Sequence, residues 1–341
     1  MSSSDTKAIE LPNGSDPVEP VSPVNEVTPP ATPDPTKGVR VILPDTFSSI
    51  LSVDAVMNKH YKQVKEEADA WIAQTLGYDE KTSRRNSRAD FTYLISFWVP
   101  NCDAEALRTM VDWQHWAFPW DDQFDEGHLK EDLQAAAEEI IHMTSLLDDS
   151  HPLISPDEYP IRHAFQVNWL NIRKRASPEL QHRYKMCMKH YMMGCLRQVG
   201  ARELSLKELS VEGYLKFRRG TIGCYPWYAA GIDIPQEILD HPSIQACQEV
   251  SVDLVLLDND LLSYKKDLEQ GEELNMINIL RAQGLSLQEA IDEVGVMLDA
   301  CYKRWYSALA KMPVWGSRID KEVLRYLDGI RNVALGSLHW R

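Results

Sequence analysis

Apolar residues recur at helical spacing along most of this chain, and no sustained segment alternates apolar and polar residues as a strand would. Prolines at 100, 152, 235, 242 and 313 lie at the breaks between the periodic segments, as residues without a backbone donor should. We therefore predict an all-α chain that folds as a single-domain helical bundle over residues 39–341. The predicted helices span 54–76, 88–98, 103–123, 131–147, 160–175, 178–199, 208–230, 244–269, 275–282, 286–311 and 319–340.

The first 38 residues differ in composition from the rest. They are rich in Ser, Thr, Pro and Asp and contain few large apolar residues. Such a segment cannot bury enough surface to offset the entropy lost on ordering. We predict that residues 1–38 are a disordered tail.

Charge and cysteine usage exclude several classes of function. The formal net charge of −15 argues against binding to nucleic acid or to an anionic membrane surface, because both attract clustered cations. The six cysteines show no C-x-x-C pair and no zinc spacing, so we interpret them as core residues in a reducing compartment. No apolar run approaches the roughly 20 residues of a membrane span. We expect a cytoplasmic protein, either a monomer or a homodimer.

The segment from Asp258 to Glu269 carries the clearest chemistry. On a helix, Asn259, Ser263 and Asp267 recur every four residues and project from one face. An amide oxygen, a hydroxyl and a carboxylate are the hard ligands that Mg²⁺ takes, usually together with a substrate phosphate. Lys266 is placed to reach such a phosphate. The alternative is a solvated, charged helix face.

A second acidic element ends an aromatic helix. Asp121 and Asp125 lie four residues apart and share a face, whereas Asp122 is rotated by about 100°. Carboxylates so close repel one another, and a divalent cation removes that repulsion. The alternative is an acidic helix end that faces water, although acids at a helix C-terminus are unfavourable with respect to the helix dipole.

The two motifs together resemble those of class I terpene cyclases. D-D-x-x-D at 121–125 is followed downstream by N-D-x-x-S-x-x-K-D at 259–267. Two longer segments resemble the sequences of fungal sesquiterpene cyclases, most closely those of the presilphiperfolanol synthase group. They read W-D-D-Q-F-D-E-G-H-L-K and R-R-G-T-I-G-C-Y-P. The resemblance covers roughly residues 40–341. It implies a helical bundle that encloses an apolar active-site cavity.

The resemblance also implies roles for individual residues. Asp121, Asn259, Ser263 and Asp267 match metal ligands, three Mg²⁺ ions being expected from the family, with Asp125 ranked lower. Asp267 stands where many relatives carry glutamate. Lys266 matches a lysine that binds diphosphate.

Arginines and aromatic residues complete the predicted site. Arg218 in Y-L-K-F-R-R-G-T-I-G resembles the family's diphosphate sensor, with Arg219 as the runner-up; a guanidinium fork matches phosphate oxygens. The alternative is a surface arginine pair beside a helix break. We expect Phe118, Trp340 and Trp98 to line the substrate pocket, although aromatic residues at helical spacing are often plain core.

One departure from the family pattern lies at the C-terminus. Relatives continue past the late tryptophan into an Arg-Tyr pair that contacts the diphosphate, whereas this sequence stops at Arg341. Arg325 and Tyr326 precede Trp340, so we interpret that dipeptide as structural. We expect either that the sequence is truncated before the family pair or that one diphosphate clamp is absent.

The predicted function is Mg²⁺-dependent ionisation of farnesyl diphosphate, release of diphosphate and cyclisation to a polycyclic sesquiterpene or sesquiterpene alcohol. Two alternatives stay open. A prenyl-chain elongating synthase shares helices, Mg²⁺ and diphosphate, but it would need a second D-D-x-x-D motif where this chain has N-D-L-L-S-Y-K-K-D. A catalytically impaired, isoprenoid-binding helical protein is the other alternative.

Overall fold

Many helix ends in this computed structural model coincide with capping residues in the sequence. The structure describes residues 39–201, 206–229 and 234–341. The helix that carries the first acidic motif begins after Asp103, whose carboxylate accepts a hydrogen bond from the amide of Ala106 at 2.8 Å. The helix that carries the second motif has Pro242 in its first turn and ends at Gly271, whose φ of 70° suits a residue without a Cβ.

Helices account for all the regular structure of the described residues, where no β-strand occurs. A short 3₁₀ turn, Ser49–Leu51, precedes the first α-helix. The α-helices are α1 (Tyr61–Leu76), α2 (Glu80–Ala89), α3 (Phe91–Trp98), α4 (Ala104–Asp125), α5 (Leu133–Ser145), α6 (Pro160–Arg175), α7 (Pro178–Ala201), α8 (Val211–Thr221), α9 (Tyr225–Ala229), α10 (Gln236–Leu239), α11 (Pro242–Gln270), α12 (Met276–Ala282), α13 (Leu287–Ala310) and α14 (Ser317–Trp340). The all-α prediction is confirmed.

The observed helices depart from the prediction most clearly at three places. The first helix starts at Tyr61, not at residue 54. Helix α2 was not predicted, because it buries no side chain and so has no apolar stripe to detect. The predicted helix 208–230 is broken between α8 and α9, where Gly223 has a φ of 74°. The predicted disordered tail, residues 1–38, lies outside the described residues.

Helix α11 runs through the centre of the bundle. Over its middle section, from Val250 to Leu257, every residue is buried. It packs against α13, α14, α8 and α12. A helix buried on all sides must satisfy any polar side chain from within the bundle or at an internal cavity.

Helix α4 has a different set of neighbours, namely α1, α3, α6 and α7. Its buried tryptophans stack along one face, with the rings of Trp116 and Trp120 5.2 Å apart. Pro119 lies inside the helix and has no amide hydrogen for the carbonyl of His115. The aromatic segment of this helix is therefore mostly core, and only part of it faces α11 across a cavity.

Two glycines allow helices to approach closely beside that cavity. A Cβ on Gly194 of α7 would lie 2.5 Å from the carbonyl oxygen of Gly220 in α8. A Cβ on Gly336 of α14 would lie 2.6 Å from Cδ1 of Trp98 in α3. The absence of these side chains fixes where Trp98 and the end of α8 stand.

No helix within the described ranges combines the length and apolar character needed to cross a membrane.

Candidate active site

A cavity of about 400 Å³ lies between α3, α4, α8, α11 and α14. Its lining contains all the predicted site residues, from both acidic motifs and from the aromatic set. These are Trp98, Phe118, Asp121, Asp125, Arg218, Asn259, Ser263, Lys266, Asp267 and Trp340. Asp122 and Arg341 also line it, and both are exposed, which places the open end of the cavity beside the acidic end of α4.

Asp121 is half-buried and is held by two donors from α7. The hydroxyl of Tyr191 donates to Oδ1 of Asp121 at 3.1 Å, and the thiol of Cys195 donates to the same oxygen at 3.4 Å. Burial and then repulsion from Asp125 raise the pKa of the Asp121 carboxyl above its usual range. A nearby cation would stabilise the ionised form of this group.

The other two acids of the first motif differ in their surroundings. Asp125 is half-buried, and its Oδ1 accepts a short hydrogen bond from Nε2 of Gln198, also on α7. Asp122 is the most exposed of the three. Partial loss of hydration and the neighbouring Glu126 raise the pKa of its carboxyl, while Lys266 opposes the shift. Asp122 is therefore near the lysine of the second motif, across the mouth of the cavity.

The second motif presents its oxygens from α11 as the spacing predicts. Oδ1 of Asn259 accepts a hydrogen bond from Arg218 at 3.3 Å. The hydroxyl of Ser263 donates to Oδ2 of Asp267 at 2.6 Å, and Nδ2 of Asn275 donates to the same oxygen at 2.9 Å. These bonds orient the three side chains along one face of the helix.

Arg218 and Arg219 have separate environments despite being adjacent. Arg218 faces the cavity, and its Nη1 also donates to Oγ1 of Thr221 at 3.0 Å. Arg219 points away from the cavity and donates two hydrogen bonds to the buried Asp253. Its Nε lies 2.6 Å from Oδ1 and its Nη2 lies 2.8 Å from Oδ2. Arg304 bonds the same carboxylate at 2.7 Å. Of the two arginines, only Arg218 is placed to meet a ligand in this cavity.

Asp260 forms an ion pair with Arg218. Its Oδ1 lies 3.8 Å from Nη2 of Arg218. Its Oδ2 accepts hydrogen bonds from the hydroxyl of Tyr214 at 2.6 Å and from the amide of Met276 at 2.8 Å. The buried carboxylate therefore ties α8, α11 and α12 together behind the arginine.

The apolar part of the cavity is lined by aromatic residues. Phe118 stacks on Phe91 with ring centroids 4.3 Å apart and lies 5.8 Å from the ring of Trp340. The indole nitrogen of Trp340 donates to the carbonyl of Ala89 at 2.5 Å, which anchors this ring. Trp98 packs edge to face on Trp227. The guanidinium of Arg341 lies 5.9 Å from the Trp340 ring.

The donor set suits a hard divalent cation that is shared with a ligand. Among the described residues, no three His, Cys, Asp or Glu side chains converge so as to hold an ion unaided. Carboxylate, amide and hydroxyl oxygens instead approach from α4 and from α11. Mg²⁺ usually takes a few protein oxygens and completes its shell with water and substrate phosphate. The repulsion that raises the pKa of Asp121 is the kind that such an ion relieves.

Several supporting residues were missed from the sequence. Tyr191, Cys195 and Gln198 lie at helical spacing on one face of α7, which is a usable signal. Asn275 follows the second motif by eight residues and could have been noticed as the cap of α12, since its side chain accepts from the amide of Ile277. Nothing in the sequence pairs Tyr214 with Asp260.

A helical bundle that gathers such oxygens from two helices at the mouth of an apolar cavity has the architecture of a class I terpene cyclase. Comparison with known proteins agrees. The family model described as terpene synthase family 2, C-terminal metal binding, matches residues 112–304. The chain is 44% identical over 310 residues to terpene cyclase 4 of Gibberella fujikuroi, covering 89% of this chain and 85% of that protein. The chain belongs to terpene synthase family 2.

Two further comparisons support the assignment. The chain is 42% identical over 307 residues to the (+)-eremophilene synthase of Gibberella fujikuroi, covering 88% of this chain and 86% of that protein. The crystal structure of an α-eudesmol synthase superposes with a TM-score of 0.74 at 22% identity, over 89% of this chain and 98% of that one. The second likeness shows the fold. The predicted resemblance to fungal terpene cyclases is confirmed, and the chain is a terpene synthase.

Proposed function

We propose that the chain is a Mg²⁺-dependent sesquiterpene cyclase that converts farnesyl diphosphate to diphosphate and a cyclic sesquiterpene. One observation carries the proposal: Asp121 on α4 and Asn259, Ser263 and Asp267 on α11 line the same apolar cavity. The similarity to named sesquiterpene synthases supports the choice of substrate.

The mouth of the cavity is where the diphosphate would bind. Asp121, Asn259, Ser263 and Asp267 are the residues that would hold Mg²⁺, three ions in the resembled family, with Asp125 in support. When bound, the metal acts as a Lewis acid that stabilises charge on the departing diphosphate. Arg218 and Lys266 bind the same phosphate oxygens and neutralise the remaining charge.

The apolar walls govern what happens to the hydrocarbon. The farnesyl hydrocarbon is held in a folded conformation by Phe118, Trp340 and Trp98. A distal double bond of the substrate then lies against the allylic cation. Their ring faces stabilise positive charge by about 0.5–2 kcal/mol without reacting with it. Exclusion of water protects the cation from early capture.

Termination needs no strong base from the protein. The departing diphosphate is itself a base close to the cation, so it can accept the last proton. From the resemblance to the presilphiperfolanol group, the product is a polycyclic hydrocarbon formed through a caryophyllenyl-type cation, or the alcohol that water gives from it. The contour of the cavity decides between these products.

The proposal is tested by incubating the full-length protein with farnesyl diphosphate and Mg²⁺, with and without EDTA, followed by gas chromatography and a diphosphate assay. The expected result is a cyclised volatile product that disappears with EDTA, and in the variants Asp121→Ala and Asn259→Ala. Asp299→Ala is the matched control, since Asp299 is an exposed carboxylate on α13 that does not line the cavity.

Other outcomes would identify the alternatives. A longer prenyl diphosphate instead of a volatile product would indicate an elongating synthase. Binding of substrate without turnover would indicate an isoprenoid-binding protein. Undiminished turnover in both alanine variants would remove the metal assignment. The cytoplasmic location stays a prediction.

A further inference from the structure

Gln114 is a polar residue of the cavity wall that has no role in the proposed mechanism. It lies on α4 seven residues before Asp121, so two helical turns, or about 10 Å, separate it from the acidic end. The side chain is 7% exposed and lines the same cavity as the two metal motifs. Gln114 therefore stands where the hydrocarbon of a substrate bound by its diphosphate would lie.

The oxygen end of the Gln114 amide has no hydrogen-bond partner in the described part of the chain. Its Oε1 is fully buried and accepts no hydrogen bond there. An unpaired buried amide is unfavourable, and an apolar side chain of similar size would fill the same space without that cost. The other buried glutamine amides behave differently: Gln166 donates to the carbonyl of Pro152 at 2.9 Å, and Gln248 donates to the hydroxyl of Tyr326 at 2.5 Å.

The same cavity wall contains several apolar side chains. Leu94, Ala117 and Val255 are aliphatic, and Trp113 and Phe118 are aromatic. In a separate part of the wall, the Ser337 hydroxyl donates to its own helix at the carbonyl of Val333, at 2.8 Å. Aromatic faces stabilise a cation diffusely, whereas an amide is a fixed dipole with one negative end.

We propose that Gln114 is a specificity-determining residue: rotation about its last side-chain bond turns the unpaired Oε1 from the wall into the cavity, where the amide dipole contacts the cationic hydrocarbon and biases which carbon carries the charge when the reaction ends. It forms no covalent bond and takes no proton, so the balance of the reaction is unchanged. The inference rests on the proposed function, because it requires a cationic intermediate in this cavity.

The test compares product ratios of full-length wild-type protein with those of Gln114→Leu and Gln114→Met. Each protein is incubated with farnesyl diphosphate and Mg²⁺, and every product is normalised to the diphosphate released. Gln134→Leu is the matched control, since Gln134 is exposed on α5. We expect both Gln114 variants to change the ratio of major to minor products by about fivefold or more, the equivalent of a weak cation–dipole contact.

A thermal melt separates specificity from structure. Loss of an unpaired amide should leave the melting temperature of Gln114→Leu equal to or above that of the wild type. Unchanged product ratios in both variants would overturn the inference, as would a lower melting temperature with the original products. Absence of any product from the wild-type protein would instead refute the proposed function, and the inference with it.

Discussion

Nη2 of Arg218 donates a hydrogen bond to Oδ1 of Asn259 at 3.3 Å, and so links the break after α8 to the second acidic motif on α11. The amide oxygen that is predicted to bind a metal is therefore engaged by the arginine that is predicted to sense diphosphate. Binding of an ion at Asn259 would free this guanidinium for a phosphate oxygen. The break at Ile222 and Gly223 follows directly on α8 and gives that movement a place to occur.

The two adjacent arginines should fail in different ways. Arg218→Lys keeps the charge but loses the planar fork, so we expect turnover to fall by about 10²-fold with little change in melting temperature. Arg219→Lys weakens the grip on the buried Asp253, so we expect a stability loss of about 1–3 kcal/mol. Diphosphate release and thermal denaturation, measured on both variants, check the pair. A collapse of turnover in the Arg219 variant alone would reverse the assignment.

Two glycines of α14 should respond oppositely to alanine. A Cβ on Gly336 would lie 2.6 Å from Cδ1 of Trp98 and 2.9 Å from Cβ of Phe97, so Gly336→Ala should destabilise the protein by about 1–3 kcal/mol. A Cβ on Gly329 has nothing within 4 Å, so Gly329→Ala should stabilise the helix by about 0.5–1 kcal/mol. Denaturant unfolding measures both.

Gly336→Ala should also move Trp98 in the cavity wall, so its product ratios should shift while those of Gly329→Ala stay the same. Equal melting points and equal products for the two variants would show that α3 and α14 are not in the close contact described.

The Tyr191 hydroxyl should tune metal affinity through Asp121. Removing an outer-shell partner typically costs about 10–100-fold in metal affinity. We therefore expect Tyr191→Phe to raise the Mg²⁺ concentration for half-maximal turnover by about tenfold. Tyr306→Phe is the matched control, because Tyr306 is exposed on α13. A Mg²⁺ titration of turnover that gives the same midpoint for both variants would contradict this role.

His115 should make the protein sensitive to acid. It is fully buried on α4, with Nε2 3.4 Å from Oδ1 of Asp69, and burial lowers its pKa below 6.5 despite that carboxylate. The unfolded chain binds a proton at His115 near pH 6.5, whereas the folded chain binds it only at lower pH. His115 therefore leaves the free energy of unfolding unchanged above pH 6.5 and lowers it as the pH falls below that value.

The variant His115→Gln cannot titrate, so it should lose less stability than the wild type between pH 7 and pH 5. Denaturant unfolding at several pH values measures the two slopes. Parallel slopes would mean that His115 carries its proton in the folded state as readily as in the unfolded one.

Much of the fold was accessible from sequence because the apolar stripe of each packed helix marks its buried face. α4 and α11 were predicted on that basis, and the four-residue spacing of Asn259, Ser263 and Asp267 placed their side chains on one face of α11. α2 was missed for the complementary reason, since Glu80–Ala89 buries nothing and is marked mainly by its cap at Asp79.

The site could be predicted only where it follows a local spacing. Arg218 and Arg219 are equivalent in sequence, and only the position of Asp253 on another helix separates them. The pairing of Tyr214 with Asp260 spans 46 residues, and that of Tyr191 with Asp121 spans 70, so neither leaves a local pattern. Contacts of this kind depend on how helices pack, which periodicity does not encode.

The central claim is that α4 and α11 offer oxygens to the same metal–diphosphate unit across one cavity. The most direct measurement is a crystal structure of the protein with Mg²⁺ and pyrophosphate. The account predicts metal density between Asp121 and the group formed by Asn259, Ser263 and Asp267, with Arg218 turned onto the pyrophosphate. Pyrophosphate bound elsewhere, with Asp121 and Asn259 facing separate regions of solvent, would contradict it.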